Sequence, residues 1–182
     1  MYMFCKLLSG LFFKIFYRVK IEGEINIPDN KGFLICSNHI HAFDPALVVM
    51  ATKRKISFMV KQELFNVPVL KTILKKSGAF PVDRSKGDME SIKTAIEILK
   101  TENVLSIFPE GTRHKDGVFR DIKKGAAMVA VRANSRIVPM RIIGNYRLFS
   151  KMIIRIGEPI EAAGLNKNEL TEKLRIAIEE LA

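Results

Sequence analysis

His39 and Asp44 stand five residues apart in the stretch Ser37-Asn38-His39-Ile40-His41-Ala42-Phe43-Asp44-Pro45. A neutral imidazole can take a proton from a hydroxyl, and a carboxylate on its other ring nitrogen holds the tautomer and stabilises the imidazolium. No Ser, Cys or Thr stands in a recognised nucleophile elbow, so the base would act on a hydroxyl of the substrate. His41 is a rival base by spacing alone. Asp44 also has a second use open to it: followed by Pro45, it suits the cap of a helix.

Three further places carry chemistry or constraint. Arg84, after Phe80-Pro81-Val82-Asp83, offers the planar fork of donors that grips phosphate. Phe108-Pro109-Glu110-Gly111-Thr112-Arg113 holds a Pro and a Gly that force an irregular turn. Such a turn exposes backbone N–H groups beside a second arginine, which suits an anionic ligand or an oxyanion. Pro139, in Val138-Pro139-Met140, falls inside a run that reads as a buried strand and implies a sheet edge or a bulge.

The elements that must hold these residues alternate. Residues 32–37, 56–60, 79–82, 104–108, 137–143 and 152–156 read as short strands. Residues 43–53, 62–76, 88–101, 124–133 and 167–181 carry helical spacing, with Pro68 marking a break in the second. This alternation predicts a single α/β domain, its largely parallel mixed sheet flanked by helices, with the site beyond the carboxyl ends of the strands. The 182-residue length suits one domain. Two cysteines, Cys5 and Cys36, without a CxxC pair exclude a disulfide scaffold or a zinc finger, and three histidines without clustered Cys or carboxylates show no metal-site pattern.

Residues 1–20 form the most apolar segment. Phe4, Leu8, Leu11, Phe12, Ile15, Phe16 and Val19 fall on one helical face, and Lys6, Ser9, Lys14 and Lys20 on the other. Lys6, Lys14, Arg18 and Lys20 interrupt the segment too often for a spanning helix or a cleaved signal peptide. The expectation is an amphipathic membrane-interface helix over 1–20, preceding a domain over 21–182. A helix docked on the protein's own core would carry a similar stripe. The chain has 30 Lys and Arg against 19 Asp and Glu, a formal net charge of +11. That excess favours polyanionic partners, and each basic residue near an anionic bilayer adds about 1 kcal/mol of attraction. Nucleic acid is disfavoured, because the basic residues are spread along the chain without interleaved aromatics.

Taken together, the four blocks resemble the glycerolipid acyltransferase family: Asn38-His39 through Asp44, Phe80 to Arg84, Phe108 to Arg113, and Val138-Pro139-Met140. The resemblance covers residues 32–140. It implies His39 as general base with Asp44 as its orienting partner. It also implies Arg84 and the turn of Glu110, Gly111, Thr112 and Arg113 as the binding site for the acceptor's phosphate. The implied reaction moves a fatty acyl group from acyl-CoA or acyl carrier protein to a hydroxyl of lysophosphatidic acid, giving phosphatidic acid. It implies no cofactor or metal beyond the thioester co-substrate, and a peripheral or monotopic place on the cytoplasmic face of the cell membrane. A hydrolase using the same His39–Asp44 pair on water is the rival reading, and would make Arg84 and Arg113 dispensable. A module that only binds lipid would not need His39.

Overall fold

Period-two alternation in the strands and three-to-four-residue spacing in the helices give a seven-stranded sheet an apolar surface on each side. The computed structural model describes residues 2–28, 31–83, 89–114 and 116–182. The strands are β1 (Arg18–Glu22), β2 (Phe33–Ser37), β3 (Ile56–Lys61), β4 (Ala79–Val82), β5 (Val104–Ile107), β6 (Arg136–Gly144) and β7 (Lys151–Ile156). The α-helices are α1 (Tyr2–Phe16), α2 (Asp44–Met50), α3 (Pro68–Lys76), α4 (Met89–Lys100), α5 (Gly125–Ala133) and α6 (Lys167–Glu180). The sheet order is β1-β7-β6-β2-β5-β3-β4. Every neighbouring pair is parallel except β6 and β7. The α/β class and the largely parallel sheet expected from the alternation are what the chain adopts.

β2 is buried along its whole length and shows how the core divides. Phe33 and Ile35 face a cluster that includes Leu47 and Val48 of α2 and Phe13 of α1. Leu34 and Cys36 face the opposite cluster, with Ala95 and Leu99 of α4, Ala126 and Ala130 of α5, and Leu170 and Leu174 of α6. Burial pushes the Cys36 thiol pKa upward, so it behaves as a small apolar side chain. The 62–76 segment divides at the expected proline: a 3-10 turn over Gln62–Asn66 precedes α3.

One local expectation changes, and one pair of alternatives is decided. Residues 18–20 belong to the sheet rather than to the N-terminal helix. The Arg-Val-Lys-Ile-Glu alternation is that of a strand, and β1 pairs with β7 from Arg18↔Lys151 to Glu22↔Arg155. Its charged residues suit its place at the sheet edge. Pro139 lies in an interior strand, between β2 and β7, so of the two alternatives it marks a bulge. Four residue steps separate Ile156 from Ile160, while three separate their partners Met140 and Ile137. The extra residue on the β7 side removes the need for a donor at Pro139, whose carbonyl accepts Gly157 N–H at 2.9 Å.

α1 turns the face predicted for a membrane outward only in part. Phe4, Leu8, Leu11 and Ile15 are exposed, together with Met3 and Leu7. Phe12 and Phe16 pack against the core beside buried Phe13 and Tyr17. Lys6 is drawn to the protein side, where it donates to the Thr52 carbonyl. Both faces of the helix are therefore apolar, and one is spent on the domain. No helix among the described residues is long and apolar enough to cross a membrane.

The entry to β2 allows no side chain. A Cβ at Gly32 would lie 2.4 Å from the Leu99 carbonyl oxygen and 2.9 Å from that of Asn103. Gly32→Ala is expected to lower unfolding free energy by about 1–3 kcal/mol through overpacking, read from the midpoint of a urea titration. An unchanged midpoint would contradict this packing.

Candidate active site

Three strands that lie side by side, β5, β2 and β6, run parallel and send their carboxyl-end loops to one place. The loop after β2 begins with buried Asn38. Its side-chain amide donates to the Ile142 carbonyl at 2.9 Å, and its side-chain oxygen accepts Ile142 N–H at 2.7 Å. A side chain thus continues the β2–β6 ladder where the β2 backbone leaves it.

His39 follows. Its ring stacks on Phe108, with centroids 4.1 Å apart and planes at 16°, and its side chain is 15% exposed. Nδ1 donates to Asp44 Oδ2 at 2.7 Å. The same oxygen accepts the N–H groups of Ile40 and His41, each at 2.7 Å. Oδ1 accepts the Tyr146 hydroxyl at 2.5 Å. The Asp44 side chain is wholly buried, and an ionised carboxylate there needs such donors. The cap alternative falls away: the residue before the helix is Phe43, and Asp44 spends its oxygens on the preceding loop and on Tyr146. With Nδ1 holding its proton for Asp44, Nε2 of His39 is the nitrogen left to accept one.

His41, the rival base, is placed otherwise. It reaches Asp44 only through its backbone N–H. Its ring stacks on Tyr146 at 4.1 Å, and its Nδ1 accepts Phe43 N–H at 3.3 Å. Tyr146 thus clamps the loop twice, by its hydroxyl on Asp44 and by its ring on His41. Burial, and then the neighbouring Asp44 charge, raise the Tyr146 pKa, so the phenol stays a donor.

The loop after β5 locks onto the same backbone. Phe108 carbonyl accepts Gly111 N–H at 3.0 Å, closing a turn with Pro109 at its second position and Gly111 at φ +75°. The Gly111 N–H is therefore spent inside the turn rather than offered to an oxyanion. Glu110 is buried and turned inward. Its carboxylate accepts His39 N–H at 2.6 Å and Arg120 N–H at 3.4 Å. Desolvation raises its pKa, and the two backbone donors and nearby His114 oppose the rise. Grouped from the sequence with the phosphate-binding turn, Glu110 instead joins the two loops. His114 completes the joint, its N–H donating to the His39 carbonyl at 2.8 Å.

Thr112 and Arg113 are exposed at the rim of this turn. Arg84 lies outside the described residues. Lys123 adds a cation not singled out from the sequence. Its N–H donates to the Pro109 carbonyl at 2.8 Å, and its ammonium lies 3.0 Å from where a Gly111 Cβ would stand. Beside the turn opens a cleft of about 280 Å³, lined largely by apolar residues including Met59, Ile92, Ile107 and Val129, with Phe108 in its wall and Lys123 at its lining. The ring that supports His39 is thus also part of an apolar cleft.

A His–Asp pair with its carboxylate buried and its imidazole partly exposed, at the carboxyl edge of a parallel sheet beside an apolar cleft and a cationic turn, fits an enzyme that handles amphiphilic substrates. The acyltransferase family model matches residues 18–143, a span that includes His39, Asp44 and the 108–113 turn, and the chain belongs to that family. Its relatives are more specific. It is 34% identical to the 1-acyl-sn-glycerol-3-phosphate acyltransferase of Bacillus subtilis (strain 168) over 187 residues, covering 100% of this chain and 93% of that protein. It is 29% identical to the protein of the same name from Streptococcus pneumoniae, covering 91% of this chain and 66% of that one. The crystal structure of the 1-acyl-sn-glycerophosphate (LPA) acyltransferase PlsC from Thermotoga maritima superposes with a TM-score of 0.79 at 25% identity. That match covers 98% of this chain and 79% of that one.

Tyr146 is the site residue that motif reasoning missed, although it follows a predicted strand end, where the other site residues were found. Tyr146→Phe removes the donor to Asp44 Oδ1 while keeping the ring on His41. A lost hydrogen bond to a charged group, about 1.5 kcal/mol, should lower kcat about tenfold and leave KM for both substrates nearly unchanged. Steady-state kinetics at saturating donor checks this, and an unaltered kcat would remove Tyr146 from the positioning of the pair.

Proposed function

We propose that the protein acylates 1-acyl-sn-glycerol-3-phosphate at its free hydroxyl, using a thioester donor, acyl-CoA or acyl carrier protein, and releases phosphatidic acid. The observation that carries this reading is the His39 Nδ1–Asp44 contact of 2.7 Å within a chain of this family.

The geometry supports the following chemistry. Nε2 of His39 takes the proton of the acceptor hydroxyl as its oxygen attacks the thioester carbonyl. Asp44 stabilises the imidazolium that forms, without taking the proton itself. Collapse of the tetrahedral intermediate breaks the C–S bond, and the departing thiolate takes the proton from Nε2. Buried donors on Asp44 keep the imidazole aligned through both transfers. Arg113 and Lys123 meet the phosphate of the acceptor, and Arg84 stands as a further candidate for that contact. The apolar cleft beside Phe108 suits an acyl chain. A net charge of +11 suits either donor, since both are anionic. The exposed apolar ridge of α1 lies in the bilayer interface on the cytoplasmic side, where the lipid acceptor resides.

The test is turnover by the purified protein with lysophosphatidic acid and acyl-CoA or acyl carrier protein, following phosphatidic acid. His39→Ala should cut kcat by about a thousandfold, within the range for loss of a general base. Arg113→Ala should raise KM for the acceptor by about tenfold with kcat little changed, the cost of a charge-assisted contact. Free fatty acid formed without acceptor dependence would contradict the transfer reading.

A further inference from the structure

The connection between β6 and β7, residues 145–150, exposes two large apolar side chains. Leu148 is 63% and Phe149 65% exposed. Phe149 also adopts φ 63°, a left-handed conformation that a bulky residue takes only at a cost in free energy. It is held there. Its N–H donates to the carbonyl of Phe16, the last residue of α1, at 2.7 Å, and Arg18 N–H donates to the Ser150 carbonyl at 3.0 Å. The loop is therefore fixed against the end of α1, and its apolar tip stands beside the end of the helix that carries exposed Ile15, Leu11 and Leu8.

Charge bears on what this tip faces. Arg147 is exposed within the loop, Arg18 and Lys151, register partners across β1 and β7, are exposed at its base, and Lys14 is exposed on α1 two residues before Phe16. Residues 1–21 and 141–157 contain no Asp or Glu. An apolar tip inside a wholly basic collar complements the headgroups and acyl boundary of an anionic bilayer, whereas a protein surface would need a matching acidic ring around an apolar socket.

We infer that the 145–150 loop is a second bilayer-insertion element, in which Leu148 and Phe149 enter the acyl boundary while Arg147 and Lys151 meet anionic headgroups. The inference rests on the interfacial reading of α1 and extends it from a helix to a composite surface. Its consequence reaches the site, because Tyr146 of the same loop donates to Asp44 and stacks on His41. The element that enters the lipid is thus two residues from the one that steadies the His–Asp pair.

The chain contains no tryptophan, so one introduced indole reports a single place. Phe149→Trp and, separately, Leu8→Trp are titrated with vesicles of equal parts phosphatidylglycerol and phosphatidylcholine, with and without brominated acyl chains. Insertion of the loop predicts a blue-shifted emission at 149 and quenching by the brominated lipid. It also predicts that the double variant Leu148→Asn/Phe149→Asn partitions onto these vesicles at least about tenfold more weakly, the effect of withdrawing two apolar side chains. Asparagine tolerates the left-handed backbone, so this variant should fold as well as the parent, as a thermal melt would show. Its activity on detergent-dispersed substrate should be unchanged. A response at position 8 without one at 149 overturns the loop inference and leaves the α1 reading standing. No response at either position overturns both. A shift at 149 that follows protein concentration without vesicles means self-association through the tip and also overturns the inference.

Discussion

The carboxylate of Asp44 is the constraint around which the rest is arranged. It is wholly buried and meets four donors: the His39 ring, two backbone N–H groups of the same loop and the Tyr146 hydroxyl. A charge so removed from water is tolerable only with its lone pairs filled, so the loop after β2 must curl until Ile40 and His41 present their amides. That curl aims His39. Asn38 fixes where the curl begins by pairing with Ile142, and Glu110 and His114 fix its far side through the His39 backbone. Loops after three adjacent strands are thereby joined by hydrogen bonds, and the imidazole is left with one nitrogen for chemistry.

An aromatic cluster carries the same order outward. Phe43 meets Phe12 and Phe13 of α1 at ring separations of 5.5 and 6.5 Å, Tyr17 meets Tyr146 at 5.9 Å, and Tyr146 stacks on His41. The N-terminal helix is thus packed into the wall of the site instead of tethered to it. On the proposed reading, in which acceptor and product are membrane lipids and α1 lies at the bilayer, this packing would hold the His–Asp pair at a fixed distance from the lipid.

Much of this was legible in the sequence, because the informative residues act locally. Strand and helix patterns follow from burial on two faces, and the loop motifs follow strand ends, so the alternation points to the loops where His39, Asp44 and Glu110 come together. What escaped needs tertiary information. His39 and His41 cannot be told apart by spacing; only the fold decides which ring faces Asp44. Glu110 reads as part of a ligand-binding turn until its carboxylate is seen beneath the His39 backbone. β1 was hidden because Val19 falls on the same helical face as the apolar residues before it, and its strand alternation is short. Pattern alone leaves the interfacial and docked readings of α1 open, because both faces are apolar and only the fold says which residues meet the sheet. Tyr146 sits beyond the last recognised motif, and its role depends on a hydrogen bond spanning 102 residues of chain.

The most direct test is the protonation of His39 itself. The chain has three histidines, so long-range proton–nitrogen NMR spectra of histidine-labelled protein can be assigned by single substitutions. In its neutral form His39 should hold its proton on Nδ1 with Nε2 bare, and Asp44→Ala, which removes the acceptor, should abolish that preference. A His39 found as the Nε2–H tautomer, or one unaffected by Asp44→Ala, would contradict a general base oriented by the buried carboxylate.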